Sequence, residues 1–182
     1  WSSSSWFPWS KPARPGLTQT TVPSDIPVTL SPEQKANMQI VLAISAERQG
    51  RLEEAKKIYQ ELLKTKPERV EVYHRLGLLH SRQGECQAAE NYYHKGLKID
   101  PANAQLHCDL GYNYYLQQNW SAAEASLRQA IVLDADLFRA RNNLGLLLAR
   151  SGREAEAMRE FASAGADPAQ ASSNLAFAMA LV

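Results

Sequence analysis

The sequence predicts an all-α solenoid of helix–turn–helix repeats, preceded by an extended segment. Three observations support this fold class. Apolar residues recur with the helical period from residue 31 onward, no alternating run typical of a β-strand interrupts them, and the same chemistry returns every 34 residues. A short unit of two helices buries little surface by itself, so repeated units are expected to stack on one another.

Composition narrows the classes of function. The chain has 182 residues and a formal net charge of +1, with 20 Lys and Arg against 19 Asp and Glu. This balance gives no electrostatic footprint for nucleic acid, which is therefore not an expected partner. No run of about 18 apolar residues is present, so no transmembrane span is expected. The two cysteines, Cys86 and Cys108, lack the spacing of a disulfide framework or a zinc site.

Residues 1–30 differ in composition from the rest of the chain. They contain five of the nine prolines and a run of four serines, a pattern typical of an extended linker or tail. They also contain an unusual amount of aromatic surface, at Trp1, Trp6, Phe7 and Trp9. The alternative interpretation is a self-docking segment that places these aromatics in the groove of this molecule, of a neighbour or of another partner. Because the chain starts at Trp1 rather than Met, we expect it to be trimmed or processed.

The first helix is predicted to begin at Ser31. Ser31 is a favourable N-cap, and Gln34 lies at the spacing of a capping box. Pro32 fits the first helical turn, where its missing N–H costs nothing. The helical array therefore extends over residues 31–182.

The repeat is defined by residues that coincide at an offset of 34. A Leu followed by Gly or Ala recurs near the middle of each first helix, at Leu42, Leu76, Leu110 and Leu144. A large residue recurs in each second helix, at Tyr59, Tyr93, Leu127 and Phe161. Small residues allow two helices to approach closely, and large ones fill the matching gaps. Gly50, Gly84 and Gly152 end three of the first helices, and Gln118-Asn119 takes this place in the third repeat.

This pattern resembles the tetratricopeptide repeat (TPR) family, with repeats at 36–69, 70–103, 104–137 and 138–168. Residues 169–182 are expected to form either a capping helix or the start of a fifth repeat. The resemblance implies a right-handed superhelix in which the first helices line a concave groove. It also implies a scaffold that binds a protein or peptide partner.

The candidate ligand contacts follow from the first helices. The ninth position of each repeat is apolar and forms what we call the groove column, namely Ile44, Leu78, Tyr112 and Leu146. These residues are either half-buried against the neighbouring helix or exposed as a strip that a peptide or helix covers. One turn earlier lie further candidate contacts, His74, Cys108 and Asn142. Arg82 and Arg150 lie one turn later. Their guanidinium groups either bind a carboxylate of the ligand or interact favourably with the C-terminal dipole of their own helix.

Neither catalysis nor metal binding is expected at these positions. The four histidines do not pair at metal-ligand spacing, so no metal or other cofactor is predicted. A nucleophilic pair of His74 and Cys108 would need hydrogen-bond contact, whereas neighbouring repeats lie about 8–10 Å apart. The sequence therefore predicts a protein that is not an enzyme.

A narrower resemblance lies at Arg141-Asn142-Asn143-Leu144-Gly145 and at Ser173-Asn174-Leu175-Ala176. Both segments are similar to the TadD-like TPR proteins of bacterial pilus assembly, many of which are envelope lipoproteins. This resemblance implies a bacterial envelope location, slightly favoured over the cytoplasm, with residues 1–30 as a tether. The alternative function is self-assembly, in which the same segment produces a homo-oligomer.

Overall fold

The computed structural model describes residues 30–180, within which nine α-helices and no β-strand occur. The chain divides into two units, residues 1–30 and 31–182, and the described helices all belong to the second unit. The helices follow one another as α1 Pro32–Arg48, α2 Leu52–Thr65, α3 Val70–Arg82, α4 Cys86–Ile99, α5 Ala104–Leu116, α6 Trp120–Leu133, α7 Phe138–Arg150, α8 Glu154–Ser163 and α9 Pro168–Ala180. The predicted all-α solenoid is confirmed.

Local sequence signals set where the helices begin and end. The capping box at α1 is formed as predicted, because Gln34 N donates to Ser31 Oγ at 3.1 Å and Ser31 N donates to Gln34 Oε1 at 2.8 Å. Gly50, Gly84 and Gly152 have φ values of 74°, 78° and 73°. In the third repeat Gln118 takes this left-handed conformation with φ 58°, and Asn119 follows as the N-cap of α6.

Each helix pair is held by a small residue that faces a large one. A Cβ placed on Gly77 would lie 2.3 Å from Cε1 of Tyr93, and one on Gly145 would lie 2.5 Å from Cε1 of Phe161. Both rings are 1% exposed and cannot swing into solvent. The glycines are therefore required for the close approach of α3 to α4 and of α7 to α8.

Successive pairs stack through the second helix of one repeat and the first helix of the next. Gly96 on α4 faces Leu106 on α5 so closely that a Cβ there would lie 2.8 Å from Leu106 Cδ1. The residues equivalent to Leu106 in the neighbouring repeats, Val72 and Ala140, are likewise fully buried. This stacking buries three apolar clusters that follow one another along the array.

The last described helix, α9, packs on α7 and α8 and buries Ala171 and Ala178. Phe177 on the same helix is 61% exposed. Among the described helices, none has both the length and the apolar character needed to cross a membrane.

Candidate functional site

Three residues of the groove column meet around one cavity. Leu78 on α3, Tyr112 on α5 and Leu146 on α7 line a cavity of about 390 Å³. Leu78 and Leu146 are half-buried, and Tyr112 is 39% exposed. Of the predicted arginines, Arg82 also lines this cavity.

The fourth residue of the groove column lies at a separate cavity. Ile44 lines a second space of about 390 Å³ with Val41, Ser45 and Arg48, all on α1. Ile44 is half-buried and Val41 is exposed. Ile44 therefore does not share the cavity that the other three residues of the groove column line.

A buried carboxylate joins three first helices at the cavity. Asp109 on α5 accepts a hydrogen bond from His74 Nε2 on α3 at 2.5 Å, and its other oxygen lies 3.0 Å from Arg139 Nη1 on α7. The Asp109 side chain is 7% exposed, whereas the side chains of His74 and Arg139 are 25% and 46% exposed. The imidazole of His74 is thus hydrogen-bonded to the neighbouring repeat, and it contacts Asp109, which lines the cavity.

Cys108 lies in the core, so its assignment as a groove contact is wrong. The residue is fully buried, and Asn143 Nδ2 lies 3.7 Å from its Sγ. Burial raises the pKa of the Cys108 thiol to about 11. The thiol is therefore protonated at neutral pH and packs as a small apolar group.

Arg150 belongs to an aromatic cluster at the C-terminal ends of α5 and α7. Its Cζ lies 5.7 Å from the centroid of the Tyr115 ring and 5.5 Å from that of Trp120. Tyr115 also stacks on Tyr112, with centroids 5.9 Å apart. The guanidinium is held by cation–π contacts, and through Tyr115 it supports the ring of Tyr112.

Asn142 does not line the cavity of Leu78 and Tyr112. It lies instead at a polar pocket of about 140 Å³ with Gly165, Gln170 and Asn174, near the start of α9. The aromatics Trp1, Trp6, Phe7 and Trp9 of the predicted self-docking segment lie outside the described residues.

Sequence reasoning missed the residues that organise this site. Asp109 could have been found from a spacing of 35 residues. His74 contacts Asp109 at that separation, and Cys108 contacts Asn143 at the same separation. An alignment at 34 compares equivalent positions, whereas these two contacts between neighbouring first helices are shifted by one residue. Arg139 and Trp120 leave no such signal, since their contacts depend on the packing of side chains.

Comparisons with known proteins agree with this architecture. Residues 34–102 match a family profile described as tetratricopeptide repeat, and residues 111–152 match a second described as TPR repeat. No curated protein sequence matches the chain significantly.

Several solved structures share the fold. MamA is similar with a TM-score of 0.69 and 21% identity, over 80% of this chain and 81% of that one. PilF of Pseudomonas aeruginosa has a TM-score of 0.70 and 22% identity, over 82% of this chain and 69% of that one. YrrB, described as a TPR protein with an unusual peptide-binding site, has a TM-score of 0.66 and 25% identity, over 82% and 79%.

The 34-residue period, the nine described helices and the two profile matches agree with one another. TPR proteins are generally protein-interaction scaffolds that bind protein or peptide partners. The chain belongs to the tetratricopeptide repeat family.

Proposed function

We propose that this protein is a non-catalytic scaffold that binds a peptide or helical segment of a partner protein in its concave groove. The observation that carries the proposal is the convergence of Leu78, Tyr112 and Leu146, from three successive first helices, on one cavity. Apolar side chains that are only partly buried around a concave space are typical of a site for an apolar anchor. The likeness to YrrB, itself described as having a peptide-binding site, also supports this proposal.

The polar lining favours a ligand with an acceptor group beside its apolar anchor. Arg82 makes no ion pair with any described residue, whereas Arg139 is engaged by Asp109 and Gln105. Arg82 is therefore the guanidinium that has donors available for a carboxylate or carbonyl of the ligand. Ser81, beside it in the lining, offers a hydroxyl group.

The state of the candidate reactive groups supports the non-catalytic part of the proposal. The raised pKa of Cys108 keeps its thiol protonated, and His74 is hydrogen-bonded to Asp109 rather than to a nucleophile. Neither group has the geometry of an activated nucleophile and its base.

The test is a binding measurement on groove variants. A partner peptide selected from a displayed peptide library against the full chain would be titrated by calorimetry into wild type, Leu78→Ala and Tyr112→Ala. Truncating an anchor should weaken binding by about 1–3 kcal/mol if the residue is a hot spot. Val132→Ala is the matched control, because Val132 is 78% exposed on α6. Normal binding by both groove variants, with their circular dichroism unchanged, would remove this function.

Two narrower assignments stay predictions. Pilus assembly in a bacterial envelope rests on the short motifs around Asn143 and Asn174, and the likeness to PilF concerns the fold alone. Deleting the gene in its source organism and scoring pili would test it, and normal piliation would count against it. Self-assembly through residues 1–30 would be tested by sedimentation of the full chain against a chain without them. Monomers in both samples would exclude this alternative.

A further inference from the structure

The first helix has an apolar face that no described residue covers. Met38 and Leu42 on α1 are 48% and 53% exposed. In each later repeat, the residues equivalent to Met38 and Leu42 are at most 3% exposed, at Val72, Leu76, Leu106, Leu110, Ala140 and Leu144. These buried equivalents lie at the joints where α2, α4 and α6 pack on the helix that follows. The α1 face thus continues the interface that stacks the array.

The α1 face is chemically most similar to the face of α5 that α4 covers. At a spacing of 68 residues, Met38, Leu42, Ser45 and Gln49 correspond to Leu106, Leu110, Asn113 and Gln117. The two polar residues of α5 meet α4, since Asn113 Nδ2 donates to Cys86 O at 2.9 Å and Gln117 Nε2 approaches Glu90 Oε2 at 3.5 Å. Gln49 Nε2 instead donates to Ser45 Oγ within its own helix. Both apolar and polar positions of a helix-binding face are therefore present on α1.

We propose that the α1 face, defined by Met38, Leu42 and the C-cap residue Gln49, docks an amphipathic helix of a partner protein, which lies on α1 as α4 lies on α5. The partner helix carries a small residue opposite Met38, because a Cβ at Gly96 would already approach Leu106 Cδ1 to 2.8 Å. It carries a carboxylate six residues earlier, as Glu90 precedes Gly96, to accept a hydrogen bond from Gln49. This interaction is a helix-on-helix contact on α1 that does not involve the groove around Tyr112.

The probe is a synthetic peptide with the α4 sequence, residues 86–99, with Cys86 replaced by Ser. An isolated peptide of this length is marginally helical in water, so it would be stapled between positions 91 and 95, both exposed in the protein. Its helicity would be checked by circular dichroism. The peptide would be titrated into the full ¹⁵N-labelled chain, and amide shifts would be mapped by NMR.

We expect concentration-dependent shifts confined to α1 and its immediate neighbours. Leu42→Asp in the protein should weaken binding at least tenfold, and Val132→Asp, the same kind of change at an exposed site on α6, should leave it unchanged. Gly96→Leu in the peptide should also weaken binding at least tenfold, because the larger side chain meets Met38. Leu42 is more than half exposed, so its replacement is compatible with folding, which circular dichroism would verify.

Several outcomes would overturn the proposal. They are the absence of shifts at millimolar stapled peptide, equal binding by the Leu42→Asp variant, and shifts confined to the groove around Tyr112. Displacement of the probe by a peptide of residues 1–29 would assign the face to the chain's own segment. Concentration-dependent sedimentation abolished by Leu42→Asp would assign it to a second copy, and either result would reject a partner helix.

Discussion

Replacing Asp109 by Asn tests whether the buried carboxylate joins the first helices. The substitution keeps the size and shape of the side chain and removes its charge. Asp109 contacts His74 on α3 and Arg139 on α7, so it links three successive repeats. The amide retains one acceptor oxygen, but it replaces the other by an NH₂ group that faces a donor.

The expected loss of stability follows from these contacts. A hydrogen bond to a charged group contributes about 1.5–3 kcal/mol, and the amide side chain of the variant would lose one such bond and weaken the other. Breaking a fully buried ion pair costs about 3–5 kcal/mol, but the Arg139 side chain is 46% exposed and regains water. We therefore expect Asp109→Asn to lower the free energy of unfolding by about 2–3 kcal/mol.

Urea denaturation followed by circular dichroism at pH 7 would measure the change. Asp136→Asn is the matched control, since Asp136 is exposed and should stay within about 0.5 kcal/mol of wild type. A loss below about 0.5 kcal/mol for Asp109→Asn would refute the reasoning, because the carboxylate would then add nothing to the stacking of the repeats.

Three further predictions concern packing, thiol reactivity and pH. Gly77→Ala should lower the unfolding free energy by about 1–2 kcal/mol, because strain against the facing tyrosine ring exceeds the gain in helix propensity; an unchanged urea midpoint would contradict it. Burial raises the pKa of Cys108 to about 11, so the native Cys86→Ala variant should react slowly with a thiol reagent at pH 8 and rapidly once unfolded. Rapid reaction of the native variant would show that Cys108 is accessible. Hydrogen bonds from Arg153 hold the pKa of Glu156 below its usual value. The ionised carboxylate therefore stabilises the fold at a pH above the usual glutamate value, and this stabilisation is lost as the pH falls through the lowered pKa. Arg153→Met should therefore be less stable than wild type at pH 7, and the difference in unfolding free energy should narrow as the pH falls below the usual glutamate range. A difference that does not change with pH would exclude this linkage.

Features that depend on neighbouring residues or on the repeat period were predictable from the sequence. The cap at Ser31 needs only a residue three positions away, and its two hydrogen bonds are formed. The pairing of a small with a large residue in each helix pair recurs with the period, so Gly77 against Tyr93 follows from alignment alone. Alignment also identified Leu78 and Tyr112, which line the same cavity.

Features that depend on the shift between neighbouring helices were not predictable in the same way. His74 meets Asp109 rather than its equivalent Cys108, because the two helices contact each other one residue out of step at this point. The contacts of Arg150 with Tyr115 and Trp120 also depend on the spatial approach of α7 to the end of α5. A repeat alignment records which residues are equivalent and contains no information about this shift.

The same shift explains which candidate positions line the cavity of the proposed groove. Residues one turn before the groove column point toward the next first helix, so His74 is engaged by Asp109 and Cys108 by Asn143. Their side chains stabilise the stacking and have little left to offer a partner. Leu78 and Tyr112, one turn further along, lie beyond this contact and line the cavity. Any selectivity of the proposed groove would then come from the apolar anchors and from the polar side chains that share the cavity lining, which include Ser81, Arg82 and Asp109. The hydrogen bond of His74 to Asp109 meanwhile joins the two helices that carry Leu78 and Tyr112.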